Sequence, residues 1–405
     1  MDEHDSRLRP AIRHAYDHSA EVRERFDAAG IGPADVQRVA DLEKVPVLAK
    51  DAVIARQQAD PPFGGLLAAP LSQVRRIFLS PGPIYEPDAA DDLQAAIAVA
   101  QEAFRWAGFG PGDVVLNCLS YHLVPAGMLV DRALAEMGAT VVPGGVGNSE
   151  LQLKLMADLG VTAYAGTPSF LLQLIRKAEE MGRDFRRDFK LKKLFATAEP
   201  FPASLRQTFV EGYGLAAANC YATAELGFLA LDTAGQLALR LLPEPIIQVV
   251  DPDTGRSVGP GEAGEVVVTN FSRGYPLIRL GTGDLAVNVD PRPGVSRQDE
   301  RAIILVGRRG EAVKVRGMFV HPNQLRFAVA QVAPGAAVQG LVSRPGGRDH
   351  FRLRVALAAA DAGAAERIKA AVRDLCRVGV DEVELVPAED LPAGAPGMLD
   401  QREWG

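Results

Sequence analysis

Four short stretches of this 405-residue sequence carry residue types that could do chemistry. Ala198-Glu199-Pro200 puts a carboxylate at the carboxyl end of an expected parallel strand, where open α/β sheets bind ligands. In Tyr221-Ala222-Thr223-Ala224-Glu225, an aromatic face suited to stacking on a base is followed four residues on by an acid suited to a divalent cation bridging phosphates. Gly281-Thr282-Gly283-Asp284 is a turn that projects an acid able to accept both hydroxyls of a ribose. Residues 307–322, GRRGEAVKVRGMFVHP, place Arg308, Lys314 and Arg316 around one short glycine-bounded strand, as a phosphate would require. Taken singly, each stretch reads equally well as a turn, a helical face or a solvated hairpin.

Those stretches need a scaffold, and the hydrophobic pattern supplies one. An amphipathic helix over 19–29 and a scatter of small helices form a lead-in, and a short apolar strand over 74–79 runs into the turn-rich Ser80-Pro81-Gly82-Pro83. Helical spacing over 89–107 is followed by strand and helix in alternation: 114–118, 126–137, 140–143, 150–159, 162–165, 169–181, 194–198, then a helix from about Pro202. Such alternation predicts a mostly parallel sheet covered on both faces. From about 237 to 306 the helices vanish, and short strands (246–250, 264–269, 303–306) between Pro, Gly and Asp turns predict a β-rich subdomain. Beyond residue 306 the order strand, helix, strand, strand, helix, strand reads as a small α+β domain. The expected architecture is therefore α/β: a large amino-terminal domain over 1–306, and a small mobile carboxyl-terminal domain over 307–405. Chemistry is expected where the two meet.

Composition narrows the function. Hydrophobic residues at 47% and charged residues at 23% describe a globular chain rather than a disordered one. A net charge of -7 argues against general nucleic-acid or acidic-membrane binding. Cys118, Cys220 and Cys376 are odd in number and lack metal-ligand spacing, so neither a disulfide framework nor a zinc site is expected. With a charged amino terminus and no run of eighteen apolar residues, the sequence reads as cytoplasmic. Gly144-Gly145-Val146-Gly147 follows a strand but lacks the spacing of a dinucleotide loop, and the six histidines offer no plausible catalytic pair, so a nicotinamide enzyme and a metal hydrolase both rank low.

The order of the four stretches resembles that of the phenylacetate-CoA ligase family, within the adenylate-forming superfamily of acyl-CoA synthetases. The resemblance extends over AAGIGPADV and KVPVLAKD in the lead-in, SYHLVPAGM, GATVVPGGVGNSELQL and GTPSFLLQL. It implies activation of a small carboxylic acid by ATP to an acyl adenylate, then thioester formation with coenzyme A. It further implies that Tyr221 and Ala222, with Glu199 and Pro200, line the nucleotide, that Glu225 holds Mg²⁺, and that Asp284 binds ribose. Arg308 would contact ribose or phosphate. Arg316 and Gly317 would face the CoA tunnel, and Tyr121, Val124 and Gly127 would shape the acyl pocket. Family members commonly form dimers, so a homodimer is the implied assembly.

This chain also departs from the family pattern. Where the family carries a Ser/Thr/Gly-rich phosphate loop, this sequence has Ser80-Pro81-Gly82-Pro83-Ile84-Tyr85-Glu86-Pro87, whose prolines lack N–H donors and whose Glu86 would repel phosphate. Near the carboxyl terminus Met398 stands where the family has a lysine, a loss expected to raise the adenylation barrier by about 3 kcal/mol. Ala224 replaces a hydroxyl residue, and Gly310 replaces an Asp. These departures leave a second expectation: a non-adenylating homologue that binds AMP, acyl adenylate or acyl-CoA and forms little AMP from ATP.

Overall fold

The computed structural model describes residues 3–80, 83–89, 92–316, 318–345, 349–357, 363–392 and 394–402. Their contacts divide the chain into two compact units. The first comprises Met1–Ile247, Val268–Leu280 and Arg297–Ala302, and the second Gln248–Val267, Gly281–Ser296 and Ile303–Gly405.

The first unit opens with helices α1 (Glu3–His18), α2 (Ala20–Ala28) and α3 (Lys50–Ala59), followed by a hairpin of β1 (Val74–Ser80) and β2 (Ile84–Ala89). Helix α1 corrects the expectation of a mere lead-in. Leu8, Ile12 and Ala15 recur at helical spacing and are fully buried, a stripe interrupted in the sequence by charged residues and Pro10. The hairpin corrects the expectation of a loop at Ile84–Pro87, because β2 pairs antiparallel with β1 and sets Phe78 opposite Glu86. Pro81 and Gly82 lie outside the described residues.

Helix α4 (Asp92–Trp106) then leads into the alternating core: β3 (Val114–Asn117), α5 (Ala126–Glu136), β4 (Thr140–Val142), α6 (Ser149–Asp158), β5 (Ala163–Gly166), α7 (Pro168–Glu180) and β6 (Lys193–Ala196). Three further strands close this part, β7 (Ala216–Thr223), β8 (Gly227–Asp232) and β9 (Leu239–Leu241). Their order is β9-β8-β7-β6-β5-β3-β4. Pairs from β4 to β7 are parallel, whereas β7–β8 and β8–β9 are antiparallel. Strands β5 and β6 carry almost unbroken apolar runs, as strands covered on both faces must. One apolar cluster contains Phe104, Phe195 and Phe228, with the Phe104 and Phe195 rings 4.4 Å apart. Truncating such a ring to alanine typically costs about 3–5 kcal/mol. The other cluster gathers Leu116, Leu153, Leu171, Leu174 and Phe209.

The second unit includes most of β10 (Ile246–Val250), β11 (Ala263–Thr269), β12 (Leu280–Val289) and β13 (Ala302–Arg308), neighbours in that order. A hairpin of β14 (Val313–Val315) and β15 (Met318–Val320) precedes α8 (Pro322–Ala330), β16 (Val338–Ser343), β17 (His350–Ala356), α9 (Ala364–Cys376), β18 (Glu382–Val386) and β19 (Met398–Asp400). The last six elements contain a sheet ordered β18-β17-β16-β19, whose fourth strand the sequence pattern did not disclose. Among the described residues, no helix is long and apolar enough to cross a membrane.

Candidate functional site

In the first unit, three ionisable groups far apart in sequence come together. Lys50, the first residue of α3, reaches Glu225, just beyond β7, with Nζ 2.8 Å from Oε1. The Glu225 side chain is 4% exposed, and its Oε2 is buried without a hydrogen-bond partner. Glu86, on β2, feels the charges of both. It is 7% exposed, and its Oε1 is also buried without a partner. Burial is the main cause that pushes the Glu86 carboxyl up to about 8; the charge of Glu225 adds to it, while Ser80 and Lys50 oppose it. Near neutral pH Glu86 is therefore mostly protonated. The repulsion of phosphate expected of this residue requires a charge that its surroundings suppress.

The residues expected to shape the acyl pocket are arranged around a buried amide. Asn117, at the end of β3, donates to Tyr121 Oη at 2.8 Å and to the Gly127 carbonyl at 2.9 Å. The tyrosine hydroxyl in turn donates to Asp131 at 2.8 Å, and burial together with that carboxylate raises its pKa. Gly127 packs so tightly on Ser120 that a Cβ would lie 2.5 Å from the carbonyl oxygen, so a larger residue would force α5 away from the loop before it. Val124 lies in that loop, half-buried.

Glu199 follows β6, and both its oxygens are engaged at the amino end of α7. Ser169 donates to them from its backbone N–H at 2.6 Å and its hydroxyl at 2.8 Å, which suits an anion at a helix start. Ala198, just before it, holds a left-handed φ of 68°. Pro200 is exposed. Tyr221 is 9% exposed in β7, next to a register shift at Tyr221/Ala222.

A separate group is assembled within the second unit. Arg308, at the end of β13, lies with Nε 3.2 Å from Asp284 Oδ1 and donates to the Thr282 carbonyl at 3.3 Å. The arginine side chain remains 62% exposed. Gly283, at φ 75°, donates its N–H to Glu265 at 3.0 Å, which fixes the turn carrying Asp284. Gly307 has φ 143°, and a Cβ there would lie 2.1 Å from the His321 ring, so only glycine allows this approach. Arg316 is committed to a clamp: its guanidinium donates to the carbonyls of Asp349 and Gly379 and to the Asp381 carboxylate. Gly317 lies outside the described residues.

Met398 is 8% exposed within the apolar cluster of the second unit, and a Cβ on Gly340 would sit 2.4 Å from its sulfur. It packs as a core residue. The structure thus brings Asp284 to Arg308, and Tyr121 to Gly127 through Asn117. Sequence reasoning missed Lys50 and Glu86 as members of the Glu225 cluster. The signal for Lys50 was its isolated position in VLAKD, where a lone lysine opens a helix; for Glu86 it was an acid inside an otherwise strand-forming run.

A two-unit α/β chain with such a cluster belongs to a recognisable class. The AMP-binding enzyme family profile matches residues 92–275. A solved open conformation of 2-hydroxyisobutyryl-CoA ligase, in complex with 2-HIB-AMP and CoA, superposes with a TM-score of 0.82 at 24% identity, covering 98% of this chain and 90% of that one, which establishes the common fold.

Curated relatives narrow the class. Phenylacetate-coenzyme A ligase of Aromatoleum evansii is 28% identical over 363 residues, 86% of this chain and 80% of its own. The enzyme of the same name from Pseudomonas putida is 29% identical over 339 residues, 80% of this chain and 74% of its own. Over most of its length the chain is thus similar to phenylacetate-CoA ligases, with the AMP-binding enzyme match lying inside that span.

Proposed function

We propose that this protein is an acid–CoA ligase that uses ATP to activate a small carboxylic acid and transfers the acyl group to coenzyme A. The observation that carries this reading is similarity to phenylacetate-CoA ligases over 86% of the chain, far beyond the span of an isolated nucleotide-binding segment. The same observation favours it over the non-adenylating alternative. Two objections from the sequence also weaken: Glu86 is mostly uncharged near neutrality, and Met398 is a packing residue.

In the first step a carboxylate oxygen attacks the α-phosphorus of ATP, the bond to pyrophosphate breaks, and an acyl adenylate forms. In the second the coenzyme A thiolate attacks the acyl carbon and AMP departs. Both steps depend on positioning and on stabilising oxygens that gain charge. In this reading Asp284 accepts the ribose hydroxyls, and Arg308, exposed beside it, supplies positive charge to ribose or phosphate oxygens. Tyr221, Ala222, Glu199 and Pro200 line the nucleotide. Tyr121, Val124 and Gly127 bound the acyl group, and the segment holding Arg316 and Gly317 borders the CoA path.

Mg²⁺ is the finer part of the proposal. Among the described residues no three His, Cys, Asp or Glu side chains form a metal site, but the buried, unpartnered Oε2 of Glu225 fits a single donor to an ion whose other ligands come from phosphate. The ion would neutralise phosphate charge there. Lys50 keeps the Glu225 carboxylate oriented and partly neutralised in its absence. The reading also includes a cytoplasmic setting, and a homodimer to be sought by light scattering.

Acid-dependent exchange of labelled pyrophosphate into ATP tests the first step directly. Exchange with aryl or short alkyl acids, followed on adding coenzyme A by turnover on the order of 1–10 s⁻¹, is the expected result. Tight AMP binding without exchange for any acid in the panel would return the protein to the non-adenylating class.

A further inference from the structure

Strand β11 is buried along its whole length, and of its seven residues, AGEVVVT, Glu265 alone is ionisable. Its side chain is 6% exposed. Placing a carboxylate in an apolar strand is costly unless each oxygen finds a partner, and here each does. Oε1 accepts the N–H of Gly283 at 3.0 Å, and Oε2 lies 3.5 Å from a guanidinium nitrogen of Arg309. Burial is the main cause that raises the Glu265 carboxyl above its ordinary value; the charge of Asp284 adds to it, whereas the contacts with Gly283 and Arg309 oppose it.

The two partners belong to different parts of the second unit. Gly283 sits inside β12 with a left-handed φ of 75°, the mark of a bulge, and a bulge re-aims the side chain beside it. That side chain is Asp284. Its backbone N–H donates to the Thr282 hydroxyl at 3.1 Å, and that hydroxyl donates to the Val266 carbonyl at 2.9 Å, so the bulge is fastened to β11 at two adjacent residues. Arg309 directly follows Arg308, whose guanidinium lies beside Asp284 and the Thr282 carbonyl. One carboxylate thus grips both the turn that presents the acid and the residue next to the arginine paired with that acid.

We propose that Glu265 is a positioning residue for the nucleotide: Oε1 sets the turn that presents Asp284 to the ribose hydroxyls, and Oε2, through Arg309, sets Arg308. The inference rests on the reading in which Asp284 and Arg308 serve a nucleotide, and it gives Glu265 no contact with the ligand. Two contacts on one side chain make its two roles separable. An amide at this position keeps an oxygen for the Gly283 N–H but no charge for Arg309, whereas an alkyl group keeps neither. The first contact bears on the ribose hydroxyls, and the second on affinity for the nucleotide as a whole.

The test is calorimetric titration of the full-length protein with AMP and with 2′,3′-dideoxy-AMP, which differ only in the ribose hydroxyls. The unaltered protein is expected to prefer AMP at least about tenfold, and Glu265→Leu to bring the two nucleotides within about twofold of each other. Glu265→Gln is expected to keep most of the preference while binding both nucleotides about threefold more weakly, and Arg309→Ala to do the same. A preference that survives Glu265→Leu overturns the proposal, as does one lost equally in the Gln and Leu variants. If the Leu variant does not fold, the other two decide: unchanged affinities in both overturn the proposal, and the shared loss with the ratio kept upholds it. An unaltered protein that binds the two nucleotides equally removes the ribose contact of Asp284 and the proposal with it. Pyrophosphate exchange separates this inference from the ligase reading. Exchange without Glu265-dependent discrimination leaves the ligase and removes the proposal; discrimination that depends on Glu265, without exchange for any acid, retains the proposal and removes the ligase.

Discussion

The two charged groups described here are built on opposite principles. In the first unit the carboxyl groups of Glu86 and Glu225 are withdrawn from water beside a partly buried Lys50, and two of their oxygens lack partners. In the second unit Asp284 and Arg308 pair at the surface, with most of the arginine side chain in solvent. Interactions between buried charges are strong and leave little tolerance for losing one partner, whereas exposed pairs contribute little to stability and are available to a ligand. The contrast predicts that substitutions in the first group disturb folding first, and that those in the second disturb function alone.

Lys50→Met is expected to have the largest effect, because it leaves the Glu225 carboxylate buried without compensation. A loss of about 3 kcal/mol in urea unfolding is predicted, with most of it recovered on adding Glu225→Gln. Unchanged stability in the single variant would erase the distinction between the two groups.

Glu86 offers a test through pH. Its folded-state value of about 8 lies above the ordinary 4.5, so the native state holds the proton more tightly than the unfolded chain. The stability gained in this way is whole below about pH 4.5 and is lost as the pH rises through about 8. The wild type should therefore lose on the order of 5 kcal/mol across that window, and Glu86→Gln should flatten the slope. An identical slope in the variant would assign the loss to other groups.

Met398→Lys puts a charge into the apolar cluster of the second unit. A destabilisation of about 2–3 kcal/mol, with no gain in pyrophosphate exchange, is expected. A faster exchange would show instead that the side chain reaches the nucleotide.

The smallest effect on folding is expected of Arg308→Ala, below about 0.5 kcal/mol for an exposed pair. Its exchange rate should nonetheless fall at least about tenfold, and Asp284→Ala should raise the KM for ATP. Normal kinetics in both variants would make the pair a surface ornament of the turn.

Much of this architecture was legible in the sequence, for physical reasons that can be named. Strands such as Ala163–Gly166 and Lys193–Ala196 are covered on both faces and so read as apolar runs between helices of regular period. Proline at the first position of α7 and of α8 marked where those helices begin. What escaped was either disguised locally or assembled at long range. Pro81, Pro83 and Pro87 concealed a hairpin, because proline within a run argues against a strand. The short strand Met398–Asp400 followed a Pro/Gly-rich stretch and made Met398 look like a misplaced catalytic position rather than part of a core. Of the candidate site, the acids and arginines at 225, 284 and 308 stood out by type and spacing. The pairing of Glu225 with Lys50, 175 positions earlier in the chain, is a tertiary contact that no local pattern encodes.

The central claim is that this chain carries out both half-reactions of an acid–CoA ligase. Mass-spectrometric quantification of AMP and acyl-CoA from ATP, coenzyme A and a panel of acids tests it most directly. The account predicts that the two products appear in equal amounts and only when an acid is supplied. An acyl adenylate or AMP retained on the protein, with neither product released over many equivalents of ATP, would contradict it.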